Sequence, residues 1–293
     1  MMEMSFDTYK DRVMDGVKMK LQERNIDAAV EMMEVEKNNG VVLSGICIRK
    51  QGQIVAPTVY INNFYENELM VSTAINRVIE LGVEDNLPKI DIDMFKQYKL
   101  VKDKIIPRLV NYDANKDMLQ SSPHIVIADL AVYFVIDLTI DGRRGSITIG
   151  NQLADLWGVD AEQLYDLAIR NMENKGMCKY MKMHNVLEQL DDTITDMFDK
   201  LCGMYVITTD IFSYGAIAIL SKKFMSEMID IVGSEFYLIP SSVHEWIMVA
   251  GKYTDIDSKN EMVKEVNASE VGKSEILSDH IYGYSLEDGL HCI

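Results

Sequence analysis

The sequence predicts an α+β protein of mainly antiparallel sheets, built from hairpins flanked by amphipathic helices. Three observations carry this expectation. Strand-like runs come in pairs joined by short turns, not singly between helices. Asn39-Gly40 stands between two apolar runs and is a strong hairpin signal. Helix-period segments with recognisable caps separate the strand pairs. The same pattern argues against a doubly wound nucleotide fold, in which single strands alternate with helices.

Phe6, Tyr9, Val13, Val17 and Leu21 recur at helical spacing behind Ser5, so the chain opens with an amphipathic helix carrying a hydroxyl N-cap. Runs at 28–37, 41–50 and 53–61 form a three-stranded meander, turned at Asn39-Gly40 and Gln51-Gly52. Val71, Ile75, Val78 and Ile79 mark a helix stopped by Gly82, and 91–104 reads as a further helical stretch. Pro107 and the polar run from Asn111 to Pro123 place a boundary, giving a first domain over 1–111 and a larger α+β domain over 122–293.

In the second domain, His124 to Leu138 reads as one long buried strand that turns at Asp141-Gly142 into Ser146–Ile149. Asp160-x-x-Gln163 has the form of a capping box, and 184–201 is an amphipathic helix. Strands are expected at 203–209, 214–220, 235–239, 243–250 and 280–284, with helices at 222–232 and from Ser258 to 268.

The 46 acidic residues outnumber the 29 basic ones, for a net charge of −17. That excess repels a polyanion and favours a cationic partner, so no binding to a nucleic-acid backbone is expected. The densest basic segment, Lys99, Lys102, Lys104 and Arg108, is interrupted by Asp103, and no basic patch is visible along the chain. Cys47, Cys178, Cys202 and Cys292 form no C-x-x-C pair, which predicts free thiols in a reducing, cytoplasmic compartment. The longest apolar run, Leu130 to Ile136, is far below bilayer length, so no membrane span is expected. No metal or cofactor signature is present.

Two segments combine side chains that do chemistry. Ile239-Pro240-Ser241-Ser242-Val243-His244-Glu245-Trp246 places Ser242 and His244 two apart in an extended run, where a nucleophile and its base share a face. Glu245 falls on the opposite, apolar face, where a desolvated carboxyl serves as an acid. Leu277-Ser278-Asp279-His280-Ile281-Tyr282 adds Asp279 and His280, which complete a site only if the fold brings them to His244. The competing reading makes both segments turns, their hydroxyls satisfying local amides. A third candidate is the acidic stripe Glu188, Asp192, Asp196 and Asp199, either a solvated helix face or a docking surface for a basic partner.

These segments also carry a resemblance. Asn38-Asn39-Gly40-Val41, Pro57-Thr58-Val59-Tyr60-Ile61, Pro123-His124-Ile125 with Asp129-Leu130-Ala131, Leu156-Trp157-Gly158-Val159 and Met204-Tyr205-Val206 join the two above. Together they resemble a bacterial domain-of-unknown-function family, number 5688, over nearly the whole chain. Ile239 and Val243 stand where that pattern has leucine and isoleucine. The resemblance implies an intracellular bacterial protein and assigns no activity or catalytic residue.

The residues therefore point first to a non-enzymatic interaction or inhibitor-type protein docking a cationic partner. The alternatives are a hydrolase or transferase working through Ser242, His244 and Glu245 with Asp279 or His280, and a small-molecule-binding module.

Overall fold

The opening helix forms where the apolar spacing places it. In the computed structural model, which describes residues 4–53, 56–83, 91–140, 143–188, 203–252 and 254–293, the side chains of Ile140, Arg143 and Glu188 excepted, Phe6–Glu23 is helical. Ser5 Oγ accepts the Thr8 amide at 3.3 Å, and Tyr9, Val13, Val17 and Leu21 are buried. Three antiparallel sheets and amphipathic helices make the protein α+β. The chain divides into two compact units, Met1–Ile92 and Asp93–Ile293.

The first unit is the predicted meander with two helices. Strands β1 (Ala28–Glu36), β2 (Val42–Lys50) and β3 (Thr58–Tyr60) pair in that order, all antiparallel. Asn39 and Gly40 both take left-handed φ, 61° and 66°, as the tight turn between β1 and β2 requires. Tyr9, Val13 and Val17 of the first helix meet Ile46 and Ile48 of β2 and Ala74, Val78 and Ile79 of the helix Val71–Gly82. Full burial of each large aliphatic chain contributes roughly 1.5–3 kcal/mol, which makes this cluster the unit's core.

The second unit holds two sheets. In the first, the long strand β6 (Leu130–Ile140) pairs on one side with β4 (Ile105–Asn111) and on the other with β5 (His124–Ile127) and then β7 (Arg143–Thr148). The second sheet contains β8 (Cys178–Lys182), β9 (Met204–Thr209), β10 (Phe236–Ser242), β11 (Glu245–Ala250), β12 (Tyr282–Ser285) and β13 (Gly289–Cys292). Its order is β13-β12-β10-β11-β9-β8, antiparallel throughout. The capping box of Asp160 and Gln163 opens the helix Ala161–Asn174, whose buried Asn171 amide donates to the Lys102 and Ile105 carbonyls and so ties the helix to the start of β4.

Several elements differ from the sequence expectation. The expected boundary at 112–121 falls inside the second unit, because Ile105–Asn111 is a strand paired with β6 along its whole length. Pro107 is tolerated there because β4 is an edge strand. The run His124 to Leu138 is two strands, reversed at Ala128-Asp129 with Ala128 at φ 55°. Residues 214–220 are not a strand. Gly215–Leu220 is a fully buried 3-10 helix. β8 and β13 are additional strands, and the last helix, Ile256–Ser269, starts at Asp255 instead of Ser258. Among the described residues no helix is long and apolar enough to cross a membrane.

Candidate functional site

Antiparallel register places side chains of directly opposed residues on one face of a sheet. Tyr133 on β6 is opposed by Arg108 on β4 and by His124 on β5, so the three form a row across the first sheet of the second unit. Further along the same face of β6, Asp137 opposes Ser146 and Thr139 opposes Arg144. The other face carries Phe134, Ile136 and Leu138, all buried, as a two-residue period dictates.

Arg108 is 6 % exposed, and its guanidinium lies over the Tyr214 ring, 4.2 Å from the centroid. Among the described residues its nitrogens have no hydrogen-bond acceptor and no ion-pair partner. Burial pulls its pKa below the ordinary value, with Tyr133, Tyr214 and Asp137 opposing and Arg144 adding to the shift. A guanidinium nonetheless stays charged in proteins. Beside it, burial pushes the Tyr133 phenol up to about 12, against the pull of Arg108. That hydroxyl is therefore a protonated donor, and it too has no acceptor among the described residues.

More cations surround the row. Exposed Lys175, just past the helix Ala161–Asn174, is lowered by desolvation, and then feels Asp137 and Asp103 raising it and Lys104 and Arg144 lowering it. Arg144 thus stands within electrostatic reach of both Arg108 and Lys175, Lys104 within reach of Lys175, and Asp137 within reach of Arg108 and Lys175 alike. No basic patch shows along the chain because these residues come together only through β4, β6, β7 and a helix end.

The Pro-Ser-Ser-x-His-Glu segment is the turn between β10 and β11, where Ser242 opposes Glu245. Ser242 Oγ accepts the His244 amide at 3.0 Å, and Ser241 Oγ donates to Glu245 Oε1 at 3.1 Å. The His244 ring faces elsewhere. Its Nδ1 accepts the Tyr214 amide at 2.9 Å, which places the ring proton on Nε2, 3.6 Å from Glu275 Oε1. Among the described residues no hydrogen bond joins the Ser242 hydroxyl to the imidazole.

His244 instead positions the loop that covers Arg108. Phe212 and Tyr214 both hold left-handed φ, 53° and 52°, which costs non-glycine residues energy unless the surroundings fix them. The fixing contacts come from the hairpin. Besides the Tyr214 amide on His244, the Ala216 amide donates to the Val243 carbonyl at 3.2 Å, Thr208 Oγ1 donates to the His244 carbonyl at 2.8 Å, and buried Trp246 Nε1 donates to the Ala216 carbonyl at 2.9 Å.

Asp279 and His280 fall in a second group. Asp279 accepts from Asn267 of the last helix at 2.8 Å. His280 Nε2 lies 3.0 Å from Asp129 Oδ2, and its Nδ1 lies 3.0 Å from the Ile281 carbonyl. Both ring nitrogens face acceptors, so both carry protons and the pair is an imidazolium on a carboxylate. The hydrogen bond to Asp129 raises His280, while burial opposes. Burial pushes Asp129 up, but hydrogen bonds from His280 and Tyr282 outweigh it and the net shift is downward. Tyr282 donates to Asp129 Oδ1 at 2.6 Å, and Cys292 Sγ lies 3.8 Å from the same oxygen.

The five expected catalytic residues thus separate into a hairpin trio, Ser242, His244 and Glu245, and a pair, Asp279 and His280, with no hydrogen bond between the groups among the described residues. The acidic stripe lies outside the described residues at Asp192, Asp196 and Asp199, and Glu188 only in its side chain. Tyr133 and Tyr214 were not singled out from sequence, while Arg108 stood there only as a member of the densest basic segment and Asp129 only within a segment of the family resemblance. Arg108 sits inside an apolar strand, and that was the one available signal, because a charge so placed needs a partner or a purpose.

This fold and these two groups define an α+β protein with a buried arginine and a half-buried tyrosine side by side in one sheet. The chain belongs to a family of unknown function (DUF5688), matched over residues 6–286. No curated protein and no solved structure matches it.

Proposed function

We propose that the protein is a binding module that takes a small oxyanion, a carboxylate or phosphoryl group, at Arg108 and Tyr133. One observation carries the reading: two neighbouring donors on the same sheet face, the guanidinium of buried Arg108 and the protonated phenol of half-buried Tyr133, have no acceptor among the described residues. Leaving an ion uncompensated in a protein interior costs several kcal/mol, and an oxyanion offsets that cost by accepting from the guanidinium edge and the phenol together. Stacking on Tyr214 occupies one face of the guanidinium and leaves its N–H edges for in-plane bonding. Lys104, Arg144 and Lys175 add a positive local field in a chain of net charge −17.

The geometry does not favour hydrolysis or group transfer at the hairpin. Ser242 Oγ accepts a backbone amide, and the His244 nitrogen that would serve as base is held by Tyr214. A second reading, docking of a cationic protein partner, rests on the net charge alone.

Titration with inorganic phosphate and with acetate, at constant ionic strength in chloride, separates the readings. The melting temperature should rise with either ligand, and saturation at a hundred times Kd corresponds to about 2.7 kcal/mol. Arg108→Met should show no rise. Equal shifts in both proteins, or none in the wild type, would sink the oxyanion reading.

A further inference from the structure

The second group of residues, on the far end of β6 from Arg144, has a different chemistry. Asp129, His280 and Cys292 each offer one ligand atom, a carboxylate oxygen, an imidazole nitrogen and a thiol sulfur, and these atoms lie within 4.8 Å of one another. We propose that Asp129, His280 and Cys292 form a binding site for a first-row divalent transition metal of the zinc or cobalt type.

Ligand identity selects the metal class. A thiolate with an imidazole and one carboxylate suits zinc or cobalt, whereas magnesium and calcium require oxygen alone. Spacing agrees. Bonds of about 2.0–2.3 Å in a tetrahedral ion put ligand atoms roughly 3.3–3.8 Å apart. The separations here are 3.0 Å between Asp129 Oδ2 and His280 Nε2 and 3.8 Å between Asp129 Oδ1 and Cys292 Sγ, and with one atom from each residue the whole set lies within 4.8 Å, so side-chain rotation of up to about an ångström brings the three onto one ion.

The supporting contacts have the form that metal ligands take. His280 Nδ1 donates to the Ile281 carbonyl at 3.0 Å, fixing the ring so that Nε2 points at Asp129. A second ring nitrogen held by a backbone carbonyl is the usual way a protein orients a ligating histidine. Tyr282 orients the carboxylate through its 2.6 Å hydrogen bond, and the Tyr112 amide holds the Asp129 carbonyl at 2.9 Å, anchoring the turn. Cys292 is exposed, which leaves an entry path for the ion and room for a water as fourth ligand. On binding, the ion takes the place of two protons, one on His280 Nε2 and one on the Cys292 thiol. No residue of the oxyanion reading takes part, so the two proposals stand or fall separately.

Cobalt(II) added to the full-length protein is the direct probe. One equivalent should produce tetrahedral d–d bands and a thiolate charge-transfer band, both removed by zinc. Cys292→Ser keeps the fold, because the residue is exposed, and should abolish the charge-transfer band. Tyr282→Phe should keep the spectrum but weaken affinity by about 10–100-fold, the usual loss when a contact behind a ligand is removed. Colourless wild-type protein would overturn the proposal. So would a charge-transfer band that survives in Cys292→Ser, which would place the ion on another thiol.

Discussion

Arg108 shows how one residue can oppose stability and still be informative. A buried guanidinium that stacks on a ring but has no acceptor for its N–H groups opposes stability unless something binds it, and even a fully paired buried ion group is often replaced by apolar chains of similar volume at no cost or with a gain of about 1–4 kcal/mol. Arg108→Met should therefore raise the melting temperature of the ligand-free protein while removing its response to phosphate. Scanning calorimetry of both proteins, with and without phosphate, checks this. A fall in the ligand-free melting temperature would mean that the guanidinium has an intramolecular role. The sequence held part of this reading. Ile105-Ile106-Pro107-Arg108-Leu109-Val110 shows a charge within an apolar run, but Pro107 hid the strand, and without the strand Arg108 has no face and no neighbours.

At the scale of elements, the same hairpin that looked catalytic is a clamp. The sequence offers Ser242, His244 and Glu245 as a candidate catalytic set or as a turn, and the hydrogen bonds of Ser241, Ser242, His244 and Glu245 shape the turn and hold the Tyr214 loop. The 3-10 helix Gly215–Leu220 eluded sequence analysis because a short continuous apolar run fits a buried strand equally well. The Ala128-Asp129 reversal eluded it because neither residue is a usual hairpin pair. Missing that turn meant missing Asp129. Gly215 makes the clamp testable, since a Cβ there would stand 2.5 Å from the His244 carbonyl oxygen and 2.6 Å from the Thr209 nitrogen, backbone atoms that cannot rotate aside. Gly215→Ala should lose about 1–3 kcal/mol, the usual cost of overpacking, and should loosen the Tyr214 contact with Arg108. A denaturation midpoint unchanged from wild type would show that the segment moves freely from the hairpin.

For the whole molecule, charge acts through place more than through its sum. The net charge was legible at once, and of the cations Lys104, Arg108, Arg144 and Lys175 only the first two stood together in sequence, because the four span 72 residues of chain and Arg144 and Lys175 approach the others only in the fold. The Asp129 and His280 pair makes the corresponding point for stability, since it joins the β5–β6 turn of one sheet to the chain entering β12 of the other. The groups facing it are Tyr282, Cys292 and Asp279.

His280 is raised above its ordinary 6.5, so its contribution is full below that value and is lost as the pH climbs through the raised one. Asp129 is lowered below its ordinary 3.8, so its contribution is full above that value and is lost as the pH falls through the lowered one. The pair therefore stabilises most between those ordinary values. In a chelator, the difference in melting temperature between wild type and His280→Gln should be largest between pH 3.8 and 6.5 and should shrink on the alkaline side. Taking the difference cancels the general effect of titrating the other carboxylates, which both proteins share. A gap that stayed constant well above the ordinary histidine range would mean that the imidazole is not charged in the folded protein, and that its contact with Asp129 is a neutral hydrogen bond.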